Sequence, residues 1–322
     1  MIVNITYLNA SNGMFWYAID KMKTINTNPT TVLVSPRLAP LVRRELPHFQ
    51  VREISKVKAA YFIIFKKLLQ RSSERVVAFT SHPLPFVRDQ TIAFHDDYPF
   101  IGQIGRVKRA LFILAAWTSG CRVGIVNRSL AIPFLTACGI GVDRIFFDSA
   151  FPAVDLREAT PRSPIPGTPL RIGLVGTDSR KKNYHELFSA TVALEHEREV
   201  RFELYGTDNE YVRELRADFP TINLTVVSSD DIGPIAFFDK IDYLVSVARA
   251  EGYGRPMGLA AALGVPLFLL RSPVFLEFFG EHAIFFDDGV ALLRHIVDVR
   301  PPAVATAPRL AQAVPERSPF FA

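Results

Sequence analysis

Residues 246–277 read SVARAEGYGRPMGLAAALGVPLFLLRSPVFLE and place a glycine-rich turn between an apolar strand and a helix. The run 243–248, YLVSVA, is apolar and β-branched, which predicts a buried strand, and residues 257–263 predict a helix. Pro256 suits the first turn of that helix, where its missing N–H costs nothing. A second apolar run at 265–270 predicts the next strand. This order of elements is typical of a parallel α/β sheet.

The turn carries a carboxylate and two glycines, Glu251 followed by Gly252, Tyr253 and Gly254. The glycines allow a ligand to approach the backbone closely, and the first N–H groups of the helix are available to hydroxyl or phosphate oxygens. From these residues alone, a site for a polar ligand and a plain tight turn with a solvated Glu251 are equal alternatives.

The residues around the turn follow, in order, the signature of a known enzyme family. Its elements stand here as Ser246, Glu251-Gly252-Tyr253-Gly254, Pro256, Leu263-Gly264, Val265-Pro266-Leu267 and Glu277-Phe278-Phe279-Gly280. Upstream, residues 175–183, VGTDSRKKN, supply a glycine-containing loop before Lys-Asn and a helix. The region 171–288 therefore resembles the retaining, nucleotide-sugar-dependent glycosyltransferases of family four, whereas the first 150 residues resemble them loosely.

The resemblance implies the GT-B fold, an α/β architecture of two Rossmann-like doubly wound domains facing an interdomain cleft. It implies a retaining transfer of a hexose, with mannose as the first guess, from a nucleotide-diphosphate sugar donor to a saccharide or lipid-linked acceptor. It also implies a place in surface polysaccharide or glycan biosynthesis, with the acceptor on the N-terminal domain and the donor on the C-terminal domain.

The same resemblance gives roles to individual residues. Glu251 holds hydroxyls of the donor sugar, residues 252–254 supply backbone amides, and Glu277 lies in a loop near the nucleotide. The family usually carries a second glutamate, eight positions after the first, that bonds the ribose, and this chain has Leu259 there. That departure keeps open a non-catalytic GT-B protein that binds nucleotide sugars or serves as a partner subunit. A GT-B epimerase would need clusters of catalytic acids and histidines that are not visible here.

A basic cluster marks the phosphate side of the same domain. Lys182 follows the predicted strand 171–176 and the loop at Gly176, and it is expected to start the next helix and to act in catalysis. Arg180 and Lys181 precede it. Cations at a helix N-terminus oppose the macrodipole, so three together favour diphosphate binding over a solvated basic helix start. Because such a cluster offsets the leaving charge, and no DxD pair stands at a strand end, we expect no metal and no cofactor besides the donor substrate.

Two loops of the N-terminal half are candidates for the opposite wall of the cleft. His95 and Asp96 follow the predicted strand 91–95 in the sequence HDDYP, which resembles the HD-x-x-P loop of some family members. There the histidine points at the donor sugar, so His95 is expected to be catalytic together with Glu251 and Lys182, with a structural histidine as the alternative. Asn12 and Gly13, in the loop after the first strand, are expected to offer backbone amides to phosphate.

Short apolar runs alternate mostly with helical patterns along the chain, which predicts two parallel sheets. The runs lie at 2–8, 31–36, 51–55, 76–80, 91–95, 122–127, 144–150, 171–176, 200–206, 222–228, 243–248, 265–270 and 283–288. Together with the proline-rich stretch 160–169, they predict a domain at 1–153, a linker at 154–169, a second domain at 170–300 and a loose Pro/Ala-rich tail at 301–322.

Composition agrees with a two-domain globular protein, because 322 residues with 49% hydrophobic side chains suffice for two cores and exclude disordered and fibrous classes. The cysteines, Cys121 and Cys138, form no CxxC or Cys/His cluster, so we expect two core residues rather than a disulfide or a zinc site. The N-terminus begins with a predicted strand instead of a signal peptide, which favours a cytoplasmic protein.

Charge differs between the halves. Residues 1–153 hold 19 basic against 9 acidic side chains, net +10, while residues 154–322 hold 18 against 23, net −5. Within the basic half, residues 56–69 and 106–112 interleave cations with aromatic and aliphatic residues, which predicts basic amphipathic helices. They favour either an anionic membrane surface at the inner face or, equally, core helices with a solvated lysine edge. No nucleic-acid partner is expected, because no reading motif accompanies the charge.

Overall fold

The computed structural model describes residues 1–8, 13–25, 30–152, 169–177, 180–194, 199–298 and 318–321. The chain divides into two compact units, the first formed by 1–153 with 314–322 and the second by 154–313. Apart from Pro169, the expected linker lies outside the described residues, as does most of the tail.

Within the described residues, the first unit contains a parallel sheet of seven strands in the order β3-β2-β1-β4-β5-β6-β7. Its strands are β1 (Ile2–Asn4), β2 (Thr31–Val34), β3 (Gln50–Glu53), β4 (Val76–Ala78), β5 (Gln90–Phe94), β6 (Arg122–Ile125) and β7 (Ile145–Phe147). Its helices are α1 (Gly13–Lys23), α2 (Ala39–Glu45), α3 (Lys56–Leu68), α4 (Gly102–Ser119) and α5 (Ala131–Ala137).

The described part of the second unit contains a parallel sheet of six strands in the order β10-β9-β8-β11-β12-β13. Its strands are β8 (Leu170–Val175), β9 (Val200–Gly206), β10 (Leu224–Ser228), β11 (Tyr243–Ser246), β12 (Leu267–Leu270) and β13 (Ala283–Phe286). Its helices are α6 (Tyr184–Ala193), α7 (Glu210–Asp218), α8 (Pro234–Phe238), α9 (Arg255–Ala262), α10 (Pro273–Phe279) and α11 (Gly289–Asp298).

The two predicted Rossmann-like sheets are confirmed, and each predicted strand corresponds to one in the structure. Several strands end earlier than predicted, because local hydrogen bonds turn the chain at the carboxyl edge. After β1, for example, the Asn4 side-chain oxygen accepts from the Thr6 N–H at 3.1 Å and from its hydroxyl at 2.8 Å. The apolar run to residue 8 therefore continues past the strand as a buried turn.

The cores lie against the central strands. All four residues of β11 and of β12 are buried, as expected when helices cover both faces of a parallel sheet. Each large apolar side chain removed from water in this way contributes about 1.5–3 kcal/mol. Cys121 and Cys138 are buried and free, which confirms them as core residues.

The last described residues pack into the first unit, so the expectation of a loose tail is wrong for 318–321. The Ser318 hydroxyl donates to Asp148 at 3.1 Å. Phe320 is fully buried, and its ring packs against Tyr17. Gly124 accommodates it, since a Cβ there would lie 2.3 Å from the Phe320 ring. Two aromatic residues at the end of a Pro/Ala-rich stretch find a pocket that composition alone does not reveal.

Candidate functional site

The second sheet changes its direction of growth between β8 and β11. From β8 the chain adds strands on one side to β10, and from β11 it adds strands on the other side to β13. Loops that follow two such neighbouring strands diverge and leave a crevice at the carboxyl edge, where doubly wound sheets bind ligands. The loops after β8 and β11 carry the two motifs singled out in the sequence.

Lys182 and Glu251 meet at this position although 69 residues separate them. The Lys182 ammonium donates to the Glu251 carboxylate at 2.7 Å. Their side chains are only 12% and 10% exposed, so this is a largely buried ion pair. Both residues were predicted for the donor site, and the structure brings them together.

The electrostatics keep Glu251 ionised. Burial raises the pKa of its carboxyl, but the charges of Lys182 and Lys181 and the hydrogen bond from Lys182 together hold that pKa below its ordinary value. Glu251 is therefore a pure hydrogen-bond acceptor at neutral pH, the state that suits sugar hydroxyls. The charges of two lysines thus act on one carboxylate, and lysine ammonium groups are suitable donors to a diphosphate.

A further set of hydrogen bonds joins the loop after β8 to the loop after β11. Asn183 adopts a left-handed conformation, with φ of +60°, and its amide donates to the Val247 carbonyl at 3.3 Å and to Glu186. Glu186 also accepts from Arg249 at 2.8 Å and from the Gly289 N–H at 3.3 Å. These residues hold the loops in register, and we had not singled out Glu186 or Arg249. The spacing of Asn183 and Glu186, which matches a helix capping box, is the signal that could have found them.

The start of the loop after β8 is fixed as well. Gly176 has φ of +99° and donates its N–H to the Tyr205 carbonyl at 3.0 Å. The Thr177 hydroxyl accepts from the Thr207 N–H at 3.1 Å, and its carbonyl accepts from Asn209 at 2.6 Å. Residues 178–179 lie outside the described part of the chain. Hydrogen bonds to β9 and to the loop after it therefore hold the chain at Gly176 and Thr177, at the start of this loop.

Lys182 lies in a short 3₁₀ turn, Arg180–Lys182, and α6 begins at Tyr184, so the prediction that Lys182 starts the helix is off by two residues. Arg180 does not join the ion pair. Its guanidinium bonds Glu214 on α7 and is 70% exposed. Of the basic residues expected to bind phosphate, Lys182 contacts Glu251 and Arg180 instead contacts Glu214.

Gly254 shapes the Glu-Gly-Tyr-Gly turn, and Gly258 of α9 makes room for its tyrosine. Gly254 has φ of +82° at the start of α9, and a Cβ there would lie 3.0 Å from the Phe275 ring. Tyr253 is buried, packs edge-on against Phe278 at 4.6 Å, and its burial raises the pKa of its phenol. Gly258 makes room for it, because a Cβ there would meet the Tyr253 hydroxyl at 2.8 Å. Tyr253 thus anchors the turn, while buried Gly252 adjoins Glu251.

The two positions considered for contact with the nucleotide, Leu259 and Glu277, both lie in helices. Leu259, at the position of the family's second glutamate, is 3% exposed within α9. Glu277 lies on the exposed side of α10, whereas the sequence analysis expected it in a loop. Helix α10 forms there because Ser272 caps it, accepting from the Phe275 N–H at 3.2 Å, and Pro273 occupies its first turn.

In the first unit, the corresponding change of direction lies between β1 and β4. There Tyr7 and His82 stack at 4.8 Å with an interplanar angle of 9°. Partial burial lowers the pKa of His82, and the charges of Lys108 and Lys56 lower it further. We had not predicted this pair. The signal was the polar sequence Ser81-His82 directly after a buried strand.

His95 lies one strand further along, after β5. Its ring packs edge-on against Tyr17 at 5.0 Å, and its carbonyl accepts from Asn127 at 3.1 Å. The Asp96 carboxylate accepts from the Tyr98 N–H at 3.2 Å and so shapes the following turn. Gly13 is the first residue of α1, and Asn12 lies outside the described residues.

A hydrogen bond to a buried carboxylate holds the Tyr17 side chain in place. Its hydroxyl donates to Asp148 at 2.7 Å, and Asp148 forms a buried ion pair with Lys21 at 2.9 Å. Across the described ranges of both units, no group of three or more His, Cys, Asp or Glu side chains is placed to hold a metal ion.

No family model matches the chain, and no curated protein matches its sequence. Solved structures match its fold. HepE (Alr3699) of Anabaena, in complex with UDP-glucose, superposes with a TM-score of 0.71 at 15% identity over 97% of this chain and 93% of that one. A glycosyltransferase from Rickettsia africae gives 0.66 at 13% identity over 92% and 86%. WaaG, a glycosyltransferase involved in lipopolysaccharide biosynthesis, gives 0.65 at 12% identity over 97% and 93%.

These likenesses, together with the two parallel sheets, define the class of protein: the chain has the Rossmann-like GT-B fold of glycosyltransferases. At this level of identity the comparison concerns the fold, so the chemistry has to be argued from the residues in the crevices.

Proposed function

We propose that this protein is a retaining glycosyltransferase of family four that uses a nucleotide-diphosphate sugar as donor. The observation that carries the proposal is the largely buried pair of Lys182 and Glu251 at the switch point of the second sheet. HepE, which shares the fold, was solved with UDP and with UDP-glucose, so a uridine diphosphate hexose is the first donor to test.

In the proposed complex, each motif binds one part of the donor. Lys182, with Lys181 nearby, takes the diphosphate by charge-assisted hydrogen bonds. Glu251 accepts from hydroxyls of the hexose, and the amides of residues 252–254 add donors to its oxygens. Arg180, paired with Glu214 here, would contribute to the phosphates only after exchanging that partner.

The proposed reaction breaks the bond between the anomeric carbon and the phosphate oxygen and forms a bond from that carbon to the acceptor oxygen on the same face. The leaving phosphate oxygen takes the acceptor's proton, so no protein nucleophile is required. Lys182 stabilises the negative charge that develops on the diphosphate, which lets the step proceed without a metal. His95 would act from the first unit on the sugar hydroxyls or on the charge that forms at the anomeric carbon.

The acceptor is proposed to be a saccharide or a lipid-linked saccharide in surface glycan biosynthesis. The positive balance of the first unit suits an anionic or lipid-linked acceptor, and WaaG shows that this fold serves lipopolysaccharide synthesis in another protein. Peripheral attachment at a membrane follows from such an acceptor. In the described part of the chain, no helix is both long and apolar enough to cross a bilayer.

The test is a thermal-shift titration of the whole protein with UDP, GDP, TDP and their hexose conjugates, without and with EDTA. A ligand at a hundred times its Kd stabilises the folded state by about 2.7 kcal/mol, which raises the melting temperature by several degrees. We expect one nucleotide class to give this shift and transferase assays with that donor to show turnover. Lys182→Ala and Glu251→Gln should remove turnover, whereas Lys240→Ala, an exposed lysine of the same unit, should not.

Each variant is first checked for folding by circular dichroism, so that loss of activity is not loss of structure. Full activity in either site variant would overturn the assignment of the pair. Failure of EDTA to reduce activity is expected, and a strict metal requirement would contradict the metal-independent step.

Leu259 favours a second candidate, a non-catalytic GT-B protein that binds the nucleotide sugar. Its burial within α9 puts an apolar side chain where the family places a ribose contact. This candidate predicts a nucleotide-dependent thermal shift, lost in Lys182→Ala, with neither transfer nor slow hydrolysis of the bound donor. Hydrolysis in the absence of acceptor would therefore exclude it.

A further inference from the structure

Helix α4 is unusual because most of its apolar residues face water. Only five of its 18 residues are buried. The exposed apolar residues recur at spacings of three and four, which places them on one stripe: Ile104, Val107, Leu111, Leu114 and Trp117. Ile104 is 74% and Trp117 79% exposed. A helix that only packed on the sheet would turn this stripe inward.

Helix α3 repeats the pattern. Its exposed apolar residues are Val57, Tyr61, Phe65 and Leu68, again at spacings of three and four, and Tyr61 is 72% exposed. The sequence is compatible both with a membrane-facing role for these basic helices and with core helices that have a lysine edge. Their buried residues, Ala59 and Ile63 on α3, lie on the opposite side, so each helix has an inner and an outer apolar face.

The two stripes lie on the same side of the first unit. The connections from β3 to β4 and from β5 to β6 run in the same direction across the sheet, and right-handed crossovers place both helices on one face. Partial burial lowers the pKa of His82, and the charges of Lys108 of α4 and Lys56 of α3 lower it further, so a lysine of each helix acts on the same imidazole.

Phe86 adds a strained, exposed aromatic ring near the end of α4. Phe86 is more than half exposed and has φ of +62°. Its backbone N–H donates to the hydroxyl of Thr118, near the end of α4, at 3.4 Å. A non-glycine residue in this conformation costs about 1 kcal/mol or more, which persists where the surroundings or a function require it. We call the outer faces of α3 and α4, together with Phe86, the α3–α4 surface.

The charge on this surface is of one sign. Helices α3 and α4 contain seven basic residues and no acidic one: Lys56, Lys58, Lys66, Lys67, Arg106, Lys108 and Arg109. Lys66 bonds Glu74, and Lys67 lies near Asp89. In the part of the chain that the structure describes, Lys56, Lys58, Arg106 and Lys108 form no ion pair with a carboxylate.

We propose that the α3–α4 surface docks the protein on an anionic lipid membrane, with its aromatic and aliphatic residues in the headgroup region and its unpaired cations on the lipid phosphates. The residue types of the α3–α4 surface favour a lipid membrane as its partner. Apolar stripes flanked by Lys and Arg, with Trp and Tyr between water and hydrocarbon, are what interfacial helices use. A second copy of the chain would oppose these cations with the same cations, and protein interfaces are depleted in lysine.

The test uses the whole protein in co-sedimentation with vesicles of phosphatidylcholine alone and of phosphatidylcholine with phosphatidylglycerol. We expect binding to the anionic vesicles that weakens as salt rises. Each cation near such a surface contributes about a fivefold gain in binding. The variant K56E/K58E/R106E/K108E should therefore lose binding by more than a hundredfold, and I104S/L111S/W117S should lose it as well.

Two control variants each change three exposed residues of the second unit, apolar residues in one and basic residues in the other. V192S/L276S/V290S and the charge reversal R213E/K240E/R294E should leave vesicle binding unchanged. Donor-induced thermal shift is measured in every variant, because the α3–α4 surface belongs to a different unit from the Lys182–Glu251 pair. Retained donor response with lost vesicle binding supports the proposal, and lost donor response with retained vesicle binding would count against the proposed function alone.

Three outcomes would overturn the docking proposal. They are no binding to anionic vesicles, equal binding to both vesicle types, and binding that survives both surface variants. Sedimentation velocity of the protein without lipid tests whether the protein instead self-associates through this surface. Self-association abolished by I104S/L111S/W117S, without vesicle binding, would assign the surface to a second copy of the chain instead.

Discussion

At the residue scale, the ion pair of Lys182 and Glu251 has a cost as well as a use. Each charge is desolvated and depends on the other for compensation, so the pair adds little to stability while its disruption is expensive. In the proposed function Lys182 binds a diphosphate and gains from being held in position, and the polar contacts of Asn183 and Glu186 hold both loops in place. We therefore interpret the pair as part of the proposed donor site rather than as a structural clamp.

This balance predicts the outcome of a double-mutant cycle. Lys182→Met should destabilise the protein by about 3 kcal/mol, because it leaves the Glu251 carboxylate buried and unpaired. Lys182→Met with Glu251→Leu should recover most of that loss. The measurement is urea unfolding of the single and double variants. Equal destabilisation in the two would mean that the pair is a structural clamp after all.

Some residue contacts were beyond sequence reasoning. The partnership of Tyr17 with Asp148 spans 131 positions, and no periodicity connects them. The stacking of Tyr7 on His82 arises from the placement of β1 beside β4. Arg180 bonds Glu214 of α7 instead of lying beside Lys182 and Glu251. The spacing of residues in the sequence does not reveal which nearby charge a side chain pairs with.

At the scale of elements, the strands were predictable because parallel strands buried on both faces read as continuous apolar runs. The β11–α9 connection was predictable in more detail, since Gly254, Pro256 and the apolar helix each specify one position of the turn. The exact strand ends were not, because bonds such as those from Thr6 to Asn4 decide where the chain leaves the sheet.

The α9 turn gives a prediction at this scale. Gly254→Ala should lower the stability by about 1–2 kcal/mol, because a side chain is disfavoured at positive φ and its Cβ would press on the Phe275 ring. Gly233→Ala is the matched control, as Gly233 also precedes a helix but has φ of −72° and open space around it. Thermal melts of both variants make the comparison, and an equal shift in both would refute the strain argument.

At the scale of the whole molecule, the first unit is built from two ends of the chain. Phe320 fills a space between Tyr17, Phe79 and Phe146, with ring centroids 5.1 Å from the latter two. Ser318 adds a bond to the buried Asp148. The tail therefore supports the same Tyr17 ring that packs against His95.

Phe320→Ala should accordingly destabilise the first unit by about 3–5 kcal/mol, the usual cost of emptying a buried aromatic site. Phe65→Ala, at an exposed position of the same unit, should change stability by no more than about 0.5 kcal/mol. Chemical denaturation followed by tryptophan fluorescence reports on this unit, because Trp16 and Trp117 both belong to it. A stable Phe320→Ala variant would show that the tail contact is dispensable.

The return of residues 318–321 also sets an order of events during translation. The ribosome makes the first 153 residues early, yet the aromatic plug of that unit emerges only after all of residues 154–313. Until then the pocket between Tyr17, Phe79 and Phe146 lacks its last side chain. A stop codon or proteolytic cut before Ser318 would therefore weaken a unit whose other residues are made more than 150 positions earlier, and a nascent chain would present this opening to chaperones until synthesis reached Phe320.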